Sequence, residues 1–273
     1  MTTTPTIWKS TFNPGVTTLS GNQTVPQSIG LANGNILVVW QDDTDPTRPF
    51  TDIIGRILSP EGVPIGSTFQ VNAAIWGGDE TGPKIVALPD GGFVMAYGGY
   101  FEALGGFLVV ERFNSAGQSL FSNVITDDLG SLTDFWEITA DTTGNYTVVF
   151  ERHFPDIDVH SITYDHLTNA VGPERTNLAQ NSGELDRLAA VDTFANGHIL
   201  TFYNEPDFNL FGLDANTAEF TIVDPVTGVQ LRNIEIDGDP PYEDAVARDV
   251  AVLTGGQFVL VYTYTEEIGR AHV

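Results

Sequence analysis

A turn glycine followed six residues later by an aromatic recurs five times along this chain: Gly34 to Trp40, Gly91 to Tyr97, Gly144 to Phe150, Gly197 to Tyr203 and Gly256 to Tyr262. Those glycines lie 57, 53, 53 and 59 residues apart. A fixed period of that size belongs to repeat architectures, whose units cannot bury their own faces and must stack into one body. A second ladder, Gly62, Gly117, Gly172 and Gly228, runs at intervals of 55, 55 and 56. Its first turn, Ser59-Pro60-Glu61-Gly62, has proline at the favoured second position. The turn recurs as Asn114 to Gly117, as a looser Thr168 to Gly172, and as Asp224 to Gly228.

Asn33-Gly34 is a two-residue hairpin signal, because both residue types tolerate positive φ. The run Ile36 to Trp40 behind it is apolar on both faces, so it reads as a strand held between two layers. Each unit reads as four strands. One opens near Ile29, Ile85, Ile138, Leu188 or Val250, one follows the first glycine, and two flank the second. No helical periodicity extends beyond a turn or two. The pattern predicts an all-β chain, a β-propeller of four-stranded blades with a period near 55 residues. A β-sandwich would not need a fixed period.

The expected blades span 25–78, 79–131, 132–183, 184–240 and 241–267, with 1–24 as a leader or closing strand. The fifth unit stops before its second turn. The last six residues, 268–273, match one reading frame of a common sequencing-adapter oligonucleotide and are expected to be an artefact. Closing six to eight blades would take on the order of 330 to 440 residues. The expectation is therefore a propeller truncated in its fifth blade, associating through exposed sheet edges.

With 36 Asp and Glu against 11 Lys and Arg, the formal charge is −25. A field of that sign disfavours phosphate backbones and anionic lipid headgroups, so neither nucleic acid nor membrane insertion is expected. The absence of cysteine excludes disulfides, thiolate zinc sites and cysteine nucleophiles. The first ten residues lack a basic n-region and an apolar h-region, so no cleaved signal peptide is expected.

The units from Gln23 to Val71 and from Glu80 to Tyr97 resemble repeats of very large RTX-type bacterial proteins, which are type I secreted and calcium-associated. The residues that carry the resemblance are Pro26 and Pro83 opening the units, Leu88 to Val94, Trp40, and Gly62 followed by Gly66 to Asn72. Trp136, Ala189 and Arg248 stand at the proline position in the later units. The resemblance implies export by a C-terminal signal, calcium in the surroundings, an extracellular or cell-surface location, and roles in adhesion or scaffolding. The glycine-and-aspartate nonapeptides that bind calcium in such proteins are absent here.

The carboxylates Asp42, Asp43 and Asp45, and the pair Asp237 and Asp239 with Glu243 and Asp244 beside them, could supply hard oxygens to calcium. Turn chemistry explains the same residues. Around His153 and Asp156, a strand would put Asp156, Asp158 and His160 on one face, as metal ligands require. Core packing explains the aromatics at the repeat position better than a sugar-stacking ladder does. No serine elbow, phosphate loop or spaced carboxylate pair marks a catalytic centre.

The expectation is a non-catalytic binding or scaffold module, with recognition of a carbohydrate or protein ligand in loops 41–50, 98–106 and 204–217. The alternative is a carbohydrate-active propeller enzyme with part of its active site in further blades.

Overall fold

Apolar runs ended by glycine turns fold into antiparallel hairpins, and the glycines show why. Gly34, Gly91, Gly144, Gly197 and Gly256 have φ of 85°, 87°, 97°, 85° and 81°, a left-handed backbone that side chains with a Cβ resist. The computed structural model describes residues 21–45, 50–71, 78–101, 105–126, 132–153, 157–176, 187–208, 214–236 and 244–265. The first sheet holds β1 (Gln23–Gly30), β2 (Ile36–Asp42), β3 (Asp52–Leu58) and β4 (Pro64–Gln70). The second holds β5 (Asp79–Ala87), β6 (Phe93–Phe101), β7 (Gly105–Phe113) and β8 (Ser119–Thr126). The third has β9 (Leu132–Ala140), β10 (Tyr146–His153), β11 (Ile157–Tyr164) and the short β12 (Arg175–Thr176). The fourth has β13 (Arg187–Thr193), β14 (Ile199–Phe208), β15 (Asp214–Val223) and β16 (Gln230–Ile236). A two-stranded sheet follows, β17 (Asp244–Val252) with β18 (Phe258–Thr265).

Every sheet runs in chain order, and the first strands β1, β5, β9, β13 and β17 pack against one another in series. These are the inner strands. The cores lie between successive sheets, so a second strand must be apolar on both faces. In β6, Phe93, Met95 and Tyr97 face the first sheet's Leu37, Val39 and Ile53. Val94 and Ala96, one residue out of step, face Trp136, Val148 and Phe150 of the third sheet. Strand β18 differs: Val259, Val261 and Tyr262 stay about half exposed, because no third strand flanks it among the described residues.

The second glycine ladder marks where neighbouring sheets join at their outer edges. Phe69 of β4 wedges between Gly55, its partner on β3, and Gly117 in the second sheet's outer turn. Arg112 of β7 donates to the His166 carbonyl at 2.6 Å, and Arg175 of β12 to the Val226 carbonyl at 2.5 Å. Both acceptors sit in the next sheet's outer turn. The third of these turns departs from the sequence pattern. Asn169, at φ 56°, takes the left-handed position there, while Gly172 donates to the Thr163 carbonyl at 2.8 Å.

Candidate functional site

Each inner strand carries a bulge near its start, opposite the repeat aromatic. In β1 the pairing steps from Thr24↔Gln41 to Gln27↔Val39, and in β5 from Thr81↔Gly98 to Lys84↔Ala96. Single extra residues follow at Ala189 in β13 and Arg248 in β17. In β9 the irregularity separates Leu132↔Arg152 from Trp136↔Phe150. Pro26, Pro83, Ala189 and Arg248 stand in these bulges, whereas Trp136 flanks the one in β9, itself paired with Phe150. Proline is tolerated at a bulge because no ladder N–H is needed there.

A second regularity ties each bulge to the sheet before it. The residue after the repeat aromatic reaches across and accepts a backbone N–H just ahead of the next bulge. Gln41 Oε1 accepts from Gly82 N at 3.5 Å, Glu151 Oε1 from Leu188 N at 2.7 Å, and Asn204 Oδ1 from Ala247 N at 2.6 Å. Between the second and third sheets that residue is Gly98, which has no side chain to offer. There the Trp136 indole fills the space, with its Nε1 donating to the Gly82 carbonyl at 2.9 Å.

Bulges re-aim side chains and gather beside active sites, and here three of them open onto one axial cavity of about 500 Å³. Trp136, Ala189 and Arg248 line it, with Lys84, Glu137 and Arg187 from the same inner strands. Phe135 completes the wall, half exposed, with the Arg187 guanidinium 5.9 Å over its ring. Lys84 donates to Glu137 in an ion pair that bridges β5 and β9. Burial nevertheless pushes the Glu137 carboxyl above the usual range, against the pull of Lys84, and the negative charge of Asp249 on β17 adds to the rise. Arg187 meets the fully buried Glu151 at 3.2 Å. Arg248, exposed, bonds the Thr263 hydroxyl at 3.2 Å.

A carboxyl whose hold on a proton is strengthened by burial, an aromatic wall and cationic arms can together bind a polar ring. A smaller cavity of about 270 Å³ at the other end of the strands, among Asp141, His198 and Asp224, has no aromatic wall.

The residues singled out from sequence fall elsewhere. Asp42 is buried and accepts from Trp40 Nε1 at 3.0 Å and Thr44 N at 2.9 Å. Asp43 accepts from both nitrogens of Asn22, which hold its carboxyl below the ordinary range. Asp45 is exposed beside them. Asp237, Asp239 and Glu243 lie outside the described residues, as does Asp156. Asp158 sits opposite Arg152 in the ladder. His160 Nδ1 lies 2.8 Å from Glu174, which also takes two bonds from Arg152. Among the described residues no group of three His, Asp or Glu is placed to hold a metal. The presumed loops 98–106 and 204–217 are in large part strand, since β6, β7, β14 and β15 run on through them.

No family model and no curated protein matches the sequence. Among solved structures, a protein of unknown function from Dyadobacter fermentans aligns at a TM-score of 0.58 and 15% identity, over 90% of this chain and 76% of its own. An α-L-arabinanase from Penicillium chrysogenum, complexed with arabinobiose, aligns at 0.57 and 12%, over 91% and 79%. The fold is β-propeller-like. A polysaccharide lyase, an ulvan lyase bound to -[GlcA(1-4)Rha3S]-, aligns with this propeller at 0.52 and 8%, over 88% and 66%. The propeller's neighbours and its axial cavity correct the expectation of a non-catalytic binding or scaffold module. That expectation placed recognition in loops, whereas the cavity is walled by the inner strands.

Proposed function

We propose that this chain is a carbohydrate-active β-propeller that cleaves glycosidic bonds in its axial cavity. The observation that carries the reading is the cavity itself, where Glu137, raised by burial, stands beside Phe135 and Trp136. Two structures that share the fold, the arabinanase and the ulvan lyase, lend support by what they act on. In this reading the sugar ring lies against Phe135, protonated Glu137 gives its proton to the departing glycosidic oxygen, and a water adds to the anomeric carbon and releases a proton that restores Glu137. Lys84 fixes the carboxyl's orientation from β5. The four-stranded sheets are blades of a period near 55 residues, and β17–β18 begin a fifth. An extracellular, calcium-containing setting rests on the resemblance of the repeats to RTX-type proteins.

The test is turnover by the full chain on a panel of neutral and acidic polysaccharides. Both new reducing ends and the ultraviolet absorbance of an unsaturated product are followed. Glu137→Gln is expected to lower the rate about 10²- to 10⁴-fold with an unchanged melting profile. Absence of turnover on the whole panel, or a Glu137→Gln variant as active as the parent, overturns the reading.

A further inference from the structure

The chain carries 11 Lys and Arg against 36 Asp and Glu, yet three of those cations, Lys84, Arg187 and Arg248, line one cavity. Among the described lining residues the only carboxylate is Glu137, which Lys84 already engages. We propose that the axial cavity selects an acidic sugar, its carboxylate or sulfate held by Arg187 and Arg248. This rests on the reading of the cavity as a glycan site and names the class of glycan.

The two arginines are prepared for different parts of that task. Arg187 is anchored: one Nη is 3.2 Å from Glu151, whose other oxygen takes the Leu188 N–H at 2.7 Å. Its guanidinium plane lies over Phe135. About two-fifths of the side chain remains exposed where it lines the cavity. Arg248 comes from the β17 bulge. Among the described residues its guanidinium bonds only the Thr263 hydroxyl, through Nε, which leaves both Nη groups to a ligand. Asn204 adds a neutral donor, because its Oδ1 is taken by Ala247 N and its amide NH₂ remains.

A cationic cavity inside an anionic molecule also decides which ligands profit. A neutral sugar gains stacking on Phe135, but leaves partly desolvated guanidinium groups without an anion. An acidic sugar gains the same stacking and a charge-assisted, fork-shaped contact. The net charge of −25 opposes the approach of a polyanion to the surface, and salt confines both that repulsion and the arginines' attraction to about a Debye length. The selection is therefore short-ranged, which favours single charged rings at the cavity mouth.

Calorimetric titration of the full chain with oligogalacturonate, a sulfated galactan oligosaccharide and a neutral arabino-oligosaccharide tests the inference. At least one acidic ligand is expected to bind about tenfold tighter than the neutral one, the worth of one charge-assisted bond. The two acidic arms separate carboxylate from sulfate recognition. Arg248→Gln is expected to erase that preference while leaving the melting temperature unchanged, and Arg248→Lys to restore part of it. Neutral sugar binding as tightly as both acidic ligands, with Glu137-dependent turnover intact, overturns acidic selection and leaves the glycan-cleaving reading standing. Acidic preference untouched in Arg248→Gln overturns the assignment of Arg248. No binding of any sugar overturns both readings.

Discussion

Gly98→Ala is the sharpest probe of how the second and third sheets are joined. The added Cβ would lie 2.3 Å from Trp136 Cη2, 2.8 Å from Cζ3 and 2.9 Å from Cζ2. Carbon atoms settle at about 3.5 Å or more, so the indole must withdraw by roughly 1 Å. It is held from the other side too, because a Cβ on Gly82 would sit 2.7 Å from Cζ2. Withdrawal therefore strains the packing, at about 1–3 kcal/mol. It also breaks the bond from Nε1 to the Gly82 carbonyl, at about 1 kcal/mol. The sum is about 2–4 kcal/mol, a fall in melting temperature of roughly 5–10 °C for a chain of this size. Gly98 is not in the left-handed region, so the effect is steric. Urea unfolding of Gly98→Ala alone and in a Trp136→Phe background isolates it: the smaller ring should recover at least half of the loss. An equal penalty in both backgrounds, or one below about 0.5 kcal/mol, would refute the argument that this glycine exists to admit the indole.

Two further outcomes follow from buried and paired carboxylates. Glu174 is drawn down to about 2 by His160 and Arg152, below the ordinary value of about 4.3 in an unfolded chain. Its contribution is thus fully present above that unfolded value and fades as pH falls toward 2; the stability gap between the parent and Glu174→Gln, measured by urea unfolding from pH 7 to pH 2, should close over that window, and a constant gap would dissociate Glu174 from the shift. Asp42→Ala orphans the Trp40 indole N–H at a cost of about 1–3 kcal/mol, and the loss should be the same in chelator and in millimolar calcium; a loss seen only with calcium would make Asp42 a metal ligand instead.

The periodic parts of the fold were legible because glycine at positive φ leaves a sequence trace at every turn. So did the doubly apolar strands, whose residues alternate between two cores, as Phe93 and Val94 do. The exception at Asn169 leaves no such trace, because asparagine also enters the left-handed region and a glycine, Gly172, stands close by. The cavity was harder to see. Its residues stand at the proline position of the repeat, where Trp136, Ala189 and Arg248 look like failures of a pattern. Only the pairing registers show that this position is a bulge in β13 and β17 and the residue beside one in β9. Glu137 gave no signal, since its partner Lys84 lies 53 residues away. The residue after each repeat aromatic, Gln41, Gly98, Glu151 or Asn204, did hold a signal: a polar side chain, or none, in a fixed place.

Those stitches have a consequence for how such a chain can change over time. Because three junctions use a side chain from one fixed place to grip a backbone N–H, that inner grip asks almost nothing of the identity of the following sheet. A duplicated or deleted unit would find a grip waiting for it, so copy number can drift without new joints having to arise. The junction at Gly98 is different, for it admits only a neighbour that brings its own indole. The second and third sheets are therefore bound to travel as a pair, a fixed point around which the other units are free to be shuffled.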